Sequence, residues 1–416
     1  MDLEINNTLH KFFIQSIKAG LRGDQGAVQA FKSSRVQDSV DWEKLYQLAQ
    51  EQSVQGIVLS GLEKLKAKGI ELSIPKVLLL QWIGEVQMIE QRNKEMNVFV
   101  ADLIEKLRKE DIYAILVKGQ GIAQCYEKPL WRSSGDVDLF LSEDNYKKAL
   151  QILSPLASAI EEEDVYSHHI AMTIDGWAVE LHGTLRSGLW ERIDKEIDRV
   201  QNDVFCGGRV RSWMVGQTQV FLPAADEDVV FIFSHILQHF YKEGIGLRQI
   251  CDWCRLLWTY KDSINHGLLE YRIRKMGVMT EWKAFAALAV DYLGMPVEAM
   301  PLYSADGKWS RKANTILGFV LETGNFGHNR DYSYQKKYPY LIYKAISFWK
   351  HLKDGAFFFS IFPLDSIKVT WRRMVVGFTV VLRGKNINSI VERGGWQMPV
   401  RAKDGLKETI KSFAKE

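Results

Sequence analysis

Apolar residues recur every three or four positions through most of the first hundred residues, the spacing of helices that lay one face on a core. Asn7 and Thr8 would cap a helix running to Lys18, and Asp41 precedes a second through Gln50. Ser53 to Lys66 repeats the pattern with Val54, Ile57, Val58, Leu62 and Leu65. Pro75 then opens a segment reaching Glu110, with Leu79, Trp82, Ile83, Val86, Ile89, Phe99, Leu103 and Leu107 on one side. Its many good helix formers predict one long helix or two packed against whatever follows.

The period changes at Ile115. Ile115-Leu116-Val117 is a short apolar run that ends on Lys118-Gly119-Gln120-Gly121, a strand-to-helix corner able to present backbone N–H groups to an anion. Asp136-Val137-Asp138 opens the next run, Leu139-Phe140-Leu141, and Ser142 stands where a helix to about Leu153 would be capped. His169 to Ile174 and Trp177 to His182 both alternate, and Asp175-Gly176 between them is a hairpin signal. A polar helix is expected over 188–200, then short strands at Arg209 to Trp213 and Thr218 to Leu222, joined through Gly216. The expectation is a mixed sheet of about five strands.

From Ala225 the three-to-four spacing returns, beginning with Asp226-Glu227-Asp228 and carrying Val229, Val230, Phe233, Ile236, Leu237 and Phe240. Leu247 to Tyr260 forms a further helical stretch, and others reach Tyr292. Beyond the Gly324–Asn329 loop, Lys336 to Lys353 is aromatic and basic, Ala356 to Phe362 mostly aromatic, and Val369 to Leu382 largely apolar. Helices are expected there, their aromatics packed as core in preference to resting on a membrane. The chain therefore reads as α+β: a helical region over 1–110, an α/β core over 111–224, a helical domain over 225–304 and a basic, aromatic-rich helical region over 305–416.

Composition narrows this picture modestly. The chain is 46% apolar and 25% charged, an ordinary balance for a folded protein with room for two or three domains. No run approaches the ~18 apolar residues of a spanning helix, and the N-terminus has neither the apolar core nor the cleavage site of a signal peptide. Four cysteines in 416 residues make no disulfide scaffold, which points to a reducing, cytoplasmic setting. Charge is unevenly placed: residues 305–416 hold 20 Lys+Arg against 9 Asp+Glu, leaving 34 against 42 before them. A basic C-terminal region suits an anionic partner, nucleic acid or a membrane surface, although solvating lysines alone account for it as well.

The chemistry concentrates in the Asp-x-Asp strand. Residues i and i+2 of a strand share a face, so Asp136 and Asp138 project together while Val137 and Leu139 face the other way. Carboxylates held that close repel unless a cation lies between them, and oxygen-liganded divalent ions are the usual answer in phosphoryl chemistry. Other patterns are weaker. His235 and His239 are spaced i, i+4 but lack a third ligand, which favours packing over zinc. Arg248 and Asp252 have the spacing of a helical ion pair. Cys251-x-x-Cys254 lies within a helical pattern and reads as two core cysteines.

The stretch Leu116-Val117-Lys118-Gly119, then Tyr126, Pro129 and Arg132, then Asp136-Val137-Asp138-Leu139 resembles the nucleotidyltransferase superfamily of the DNA polymerase β type, and within it a branch with no assigned acceptor. The resemblance covers about 112–185 well and the helices to about Tyr260 more loosely. It implies a third carboxylate, for which Glu180 in Trp177-Ala178-Val179-Glu180-Leu181-His182 is the match. Asp136, Asp138 and Glu180 would then be the catalytic and metal-binding set, holding two Mg²⁺ ions, with Mn²⁺ as an alternative. Lys118, Gly119, Arg132 and Ser134 would contact the nucleotide phosphates. His182 shares the face of Glu180 by strand period, which suits contact with substrate and equally a partly buried histidine with a backbone partner. Two departures from the family pattern bear on those phosphate contacts: Gln120 follows Gly119 where Ser or Gly is commoner, and Gly119 precedes Asp136 by 17 positions, more than in the minimal motif.

The activity so implied is transfer of a nucleoside monophosphate from an NTP, ATP favoured, to a hydroxyl or phosphate acceptor, a small molecule before RNA or protein. Two other classes stay open: a silent binding or regulatory module on the same fold, and a carboxylate-pair hydrolase using Asp138 and Glu180 as acid and base, whose activity would survive EDTA.

Overall fold

Pro75 fixes the start of the longest helix, because its ring presets the backbone ahead of the first turn and has no N–H to leave unpaired. In the computed structural model, which describes residues 8–22, 40–163, 168–330, 333 and 337–383, that helix is a single element over Lys76–Arg108. It follows three shorter helices, α1 (Thr8–Arg22), α2 (Trp42–Glu51) and α3 (Gln55–Ala67), and is here α4. Asp41 caps α2 by accepting from the Lys44 N–H at 3.1 Å. Helices α1 and α3 cross at glycine: a Cβ on Gly61 would lie 1.9 Å from the Ser16 carbonyl oxygen, so the two backbones touch. Asn7, expected as the cap of α1, lies outside the described residues.

After α4 come β1 (Ile115–Val117), α5 (Gly119–Ala123), β2 (Asp136–Phe140), α6 (Glu143–Leu153), β3 (Ala157–Ile160), β4 (His169–Ile174) and β5 (Trp177–His182). Then follow α7 (Glu191–Phe205), β6 (Val210–Val215) and β7 (Thr218–Pro223). Among the described residues the sheet has seven strands, in the order β3-β4-β5-β2-β1-β7-β6. The expectation of about five falls short chiefly because β3 is a short edge strand after Ser154-Pro155-Leu156, with three of its four residues exposed and no alternation to betray it. Most neighbours run antiparallel, while β2 pairs parallel with β5 and β1 parallel with β7. Ser142 occupies the cap position of α6 as expected, but its side chain makes no capping hydrogen bond.

The two-residue period of the strands sorts their side chains between two cores. Leu116, Val137, Leu139, Val179 and Leu181 face one apolar cluster, closed by Val100, Ile104 and Leu107 of α4 and by Tyr146 and Leu153 of α6. Ile115, Val117 and Phe140 face the other, larger cluster. Helix α4 serves both, with Leu78, Trp82 and Val86 in the larger cluster and Met96 onward in the smaller.

The larger cluster takes in the C-terminal helices: α8 (Ala225–Lys242), α9 (Leu247–Thr259), α10 (His266–Met276), α11 (Met279–Ala287), α12 (Gly307–Thr323), α13 (Tyr340–Ile361) and α14 (Pro363–Arg383). The acidic start of α8 is buried, and arginines meet each carboxylate: Arg209 at Asp226, Arg272 at Glu227 and Arg211 at Asp228. The aromatic run before Phe362 packs inward only in part: Phe358 and Phe362 lie in the core and Phe357 stacks on Phe319 at 4.8 Å, while Phe359 is exposed. No helix of the described residues is long and apolar enough to cross a membrane, and the basic stretch after 383 lies outside them.

Candidate active site

The corner after β1 turns on two successive residues of positive φ, Lys118 at 58° and Gly119 at 34°. The first is a conformation that a side-chain-bearing residue rarely adopts, the kind of local strain that collects at functional sites. A Cβ on Gly119 would sit 3.4 Å from the Asp136 carbonyl oxygen, so the corner lies close against β2. With only five residues, α5 offers a few free N–H groups rather than a long helix dipole.

Gln120, the residue that departs from the commoner family pattern, points away from this corner. It is buried, and its Nε2 donates to Asn93 Oδ1 on α4 at 2.9 Å. Asn93 in turn donates to the carbonyls of Leu130 and Arg132, both at 2.8 Å. One amide pair thus pins the loop that carries Arg132, Ser133 and Ser134, a relay between distant residues that no local sequence signal announces.

Register assembles the carboxylates. Asp138 stands opposite Glu180 in the parallel β2–β5 pair, and opposite Val117 in the antiparallel β1–β2 pair. One oxygen each of Asp136, Asp138 and Glu180 lies within 4.8 Å of the others. Their charges are partly met by the protein. Lys118 Nζ reaches Asp138 Oδ1 at 2.9 Å, and His182 Nε2 reaches the same oxygen at 2.8 Å and Glu180 Oε2 at 3.4 Å. His169 Nε2 lies 2.8 Å from Glu180 Oε2.

These contacts split the three acids. Burial would raise Asp138, but Lys118 and the hydrogen bond to His182 outweigh it and hold the group below its ordinary range. Burial works the same way on Glu180, and His182 and Lys118 again prevail, taking it to about 2. Asp136 is left with the repulsion: the Asp138 charge, then burial, then the Glu180 charge push it up to about 6. An acid pair of which one member resists ionisation is a site short of positive charge. Three convergent carboxylate oxygens are also hard donors of the kind divalent cations take, so the residues present fit a metal centre.

A cavity of about 250 Å³ opens above this cluster. Its floor is Lys118, Gly119, Asp136, Asp138 and Glu180; its far wall is His235 and His239 of α8, Arg248, Gln249 and Asp252 of α9, and Phe326. Arg132 lines it too, with its guanidinium held in a buried two-pronged pair to Asp252, Nε to Oδ1 at 2.8 Å and Nη2 to Oδ2 at 2.7 Å. Tyr126 donates to the same Asp252 Oδ1 at 2.8 Å, and Arg132 Nη1 donates to the Ser134 hydroxyl at 2.9 Å.

The expected Arg248–Asp252 pair along α9 is therefore replaced: Asp252 is taken by Arg132, and Arg248 donates to the Ser133 carbonyl at 2.8 Å. Arg248 Nε has no partner among the described residues, and its guanidinium lies 5.5 Å from the Phe326 ring centroid. His235 and His239 stack edge to face at 4.3 Å, and burial, with the charges of Lys118 and His239, holds His235 well below its ordinary range, so it is neutral. Their spacing gave packing as the expectation, whereas their position on the cavity wall comes only from how α8 crosses the sheet. Cys251 and Cys254 are free and buried, as expected of core cysteines.

No curated protein and no solved structure matches the chain. The sequence model of a family described as "Uncharacterised nucleotidyltransferase" matches residues 38–294, which span α2 to the helices behind the cavity and hold every carboxylate of the cluster. With well over half of its length matched, and with an acidic cluster able to hold a metal on the central strands of its sheet, the chain belongs to this nucleotidyltransferase family.

Proposed function

We propose that the cavity transfers a nucleoside monophosphate from an NTP, ATP in the first instance, to a hydroxyl or phosphate of a small acceptor, in a cytoplasmic setting. The observation that carries this reading is the convergence of Asp136, Asp138 and Glu180 on one cavity floor in a chain of this family. These three would hold two divalent ions, Mg²⁺ or Mn²⁺, which when bound neutralise the triphosphate and sharpen the attacking oxygen.

The remaining work falls to the protein. The acceptor oxygen attacks the α-phosphorus in line, the bond to the bridging oxygen breaks, pyrophosphate leaves with that electron pair, and the proton of a hydroxyl acceptor passes to solvent. Lys118 lies 2.9 Å from the cluster and can follow negative charge from Asp138 to a phosphate. The N–H groups at Gly119 meet phosphate oxygens where no side chain intervenes. Arg132, tied to Asp252 and to the Ser134 hydroxyl, presents a fixed edge at the cavity, with Ser134 behind it. Arg248 brings a second guanidinium with its Nε uncommitted. Such an assembly acts by positioning and by charge stabilisation.

The test is calorimetric titration of each NTP, with and without Mg²⁺, into wild type and an Asp136→Ala, Asp138→Ala double variant. Metal-dependent binding confined to wild type is the expected result. Wild-type protein that binds no nucleotide under either condition would overturn the reading.

A further inference from the structure

Hairpin register places His169 directly opposite His182 in the antiparallel β4–β5 pair, with Glu180 two residues before His182 and therefore on the same face. The two imidazoles lie with ring centroids 4.6 Å apart and are tilted by 52°. His169 turns Nε2 to Glu180 Oε2 at 2.8 Å, and His182 Nε2, bonded to Asp138 Oδ1 at 2.8 Å, lies 3.4 Å from the same Glu180 oxygen. The three ligand atoms all lie within 4.8 Å of one another. An ion bound at about 2.0–2.2 Å to nitrogen and carboxylate oxygen needs ligands spaced in this way.

We propose that His169, Glu180 and His182 form a binding site for a late first-row transition-metal ion, Zn²⁺ or Co²⁺ in chemistry, beside the all-carboxylate set. Two nitrogens and one carboxylate make a donor set of a different kind from Asp136, Asp138 and Glu180. Imidazole suits the later divalent metals, whereas Mg²⁺ takes oxygen and keeps much of its water.

Each imidazole has one hydrogen-bonding carboxylate, His182 Nε2 at Asp138 Oδ1 and His169 Nε2 at Glu180 Oε2, both at 2.8 Å, and a bound cation would take the place of the shared protons. His182 Nε2 also lies 3.4 Å from Glu180 Oε2. His169 converges on the same Glu180 oxygen from the neighbouring strand. A cation among them would meet the lone pairs of both imidazoles and of Glu180, with Asp138 Oδ1 in reach once Lys118, 2.9 Å from that oxygen, gives way. The inference rests on this donor set and not on nucleotidyl transfer, although Glu180 would be common to both sites.

The test uses the full chain stripped of metal with EDTA and desalted. Co²⁺ is titrated in while its visible absorption is followed, and Zn²⁺, Mn²⁺ and Mg²⁺ are compared by calorimetry without nucleotide. Wild type is expected to take one equivalent of Co²⁺ or Zn²⁺ well below the concentration at which Mg²⁺ binds. His169→Gln should lose affinity by about tenfold or more. Equal binding by wild type and His169→Gln, or no preference over Mg²⁺, would overturn the proposal and leave the imidazoles as hydrogen-bonding supports. Nitrogen NMR on wild type, where Zn²⁺ should shift two of the nine imidazoles, decides the matter if the variant fails to fold. Since no nucleotide enters these experiments, their failure is separate from a failure of nucleotide binding.

Discussion

Asp138 and Glu180 occupy one rung of the parallel β2–β5 pair, two carboxylates directly across from each other near the middle of the sheet. Like charges so placed destabilise a strand pair, and here Lys118 and His182 offset them. Asp136 is the member without such relief, and its position near 6 records that.

Neutralising Asp136 should therefore help the metal-free fold while abolishing metal binding at the carboxylates. Asp136→Asn is expected to gain about 1–2 kcal/mol of unfolding free energy in EDTA, the size that a rise of about two pKa units in a partly exposed group allows. Urea denaturation reads the stability, and calorimetry with Mg²⁺-NTP reads the lost binding. A variant less stable than wild type would contradict the account.

Ligands that bind only the native state raise its stability by mass action, by about 2.7 kcal/mol at a hundred times Kd. Mg²⁺ and NTP together should raise the melting temperature more than either alone, and EDTA should reverse the gain. Glu180→Gln should show no such synergy in a thermal-shift assay. Synergy that persists in the variant would place the metal elsewhere.

The Arg132–Asp252 pair is buried on both sides and joins the loop of the cluster to α9. Removing one partner leaves an uncompensated buried charge, a loss of about 3–5 kcal/mol. Asp252→Ala is expected in that range by denaturation, with Arg132→Met added to it recovering part of the loss. A loss below about 1 kcal/mol would mean that solvent reaches the pair.

Much of this site was legible before the fold. Period-two patterning put Asp136 and Asp138 on one face, Asp175-Gly176 announced the hairpin, and the family resemblance supplied Glu180. The register that sets Glu180 beside Asp138 was not legible, because parallel pairing across a long crossover leaves no mark in local sequence. For the same reason His235, His239 and Phe326 escaped notice as cavity residues: they arrive from a helix and a loop far along the chain. The Arg248–Asp252 expectation failed because i, i+4 spacing states only what can meet on a helix, and a buried guanidinium on a neighbouring loop competes better for the same carboxylate.

Glu281 offers a test of pH dependence away from the site. It is fully buried on α11, accepts from the Tyr241 hydroxyl at 2.9 Å, and burial together with the Asp365 charge raises it to about 8. A group raised in the folded state contributes stability that is complete below its ordinary value and is lost as pH rises through the folded value. Wild type should therefore lose stability relative to Glu281→Gln between about pH 5 and pH 9, read as diverging melting temperatures. Parallel curves would show that the carboxyl is not neutral in the fold.

The sheet order also has a temporal meaning. During synthesis Asp136 and Asp138 leave the ribosome well before Glu180, and β1 keeps an unpaired edge until β7, which is made later still, closes on it. Pairing across such sequence separations is slow compared with helix formation. A nascent or prematurely ended chain thus carries an acid pair without its third carboxylate, and without the α8 and α9 wall over it. On the proposed reading the acid cluster is complete only once β5 has been made, and its wall only once α9 has followed.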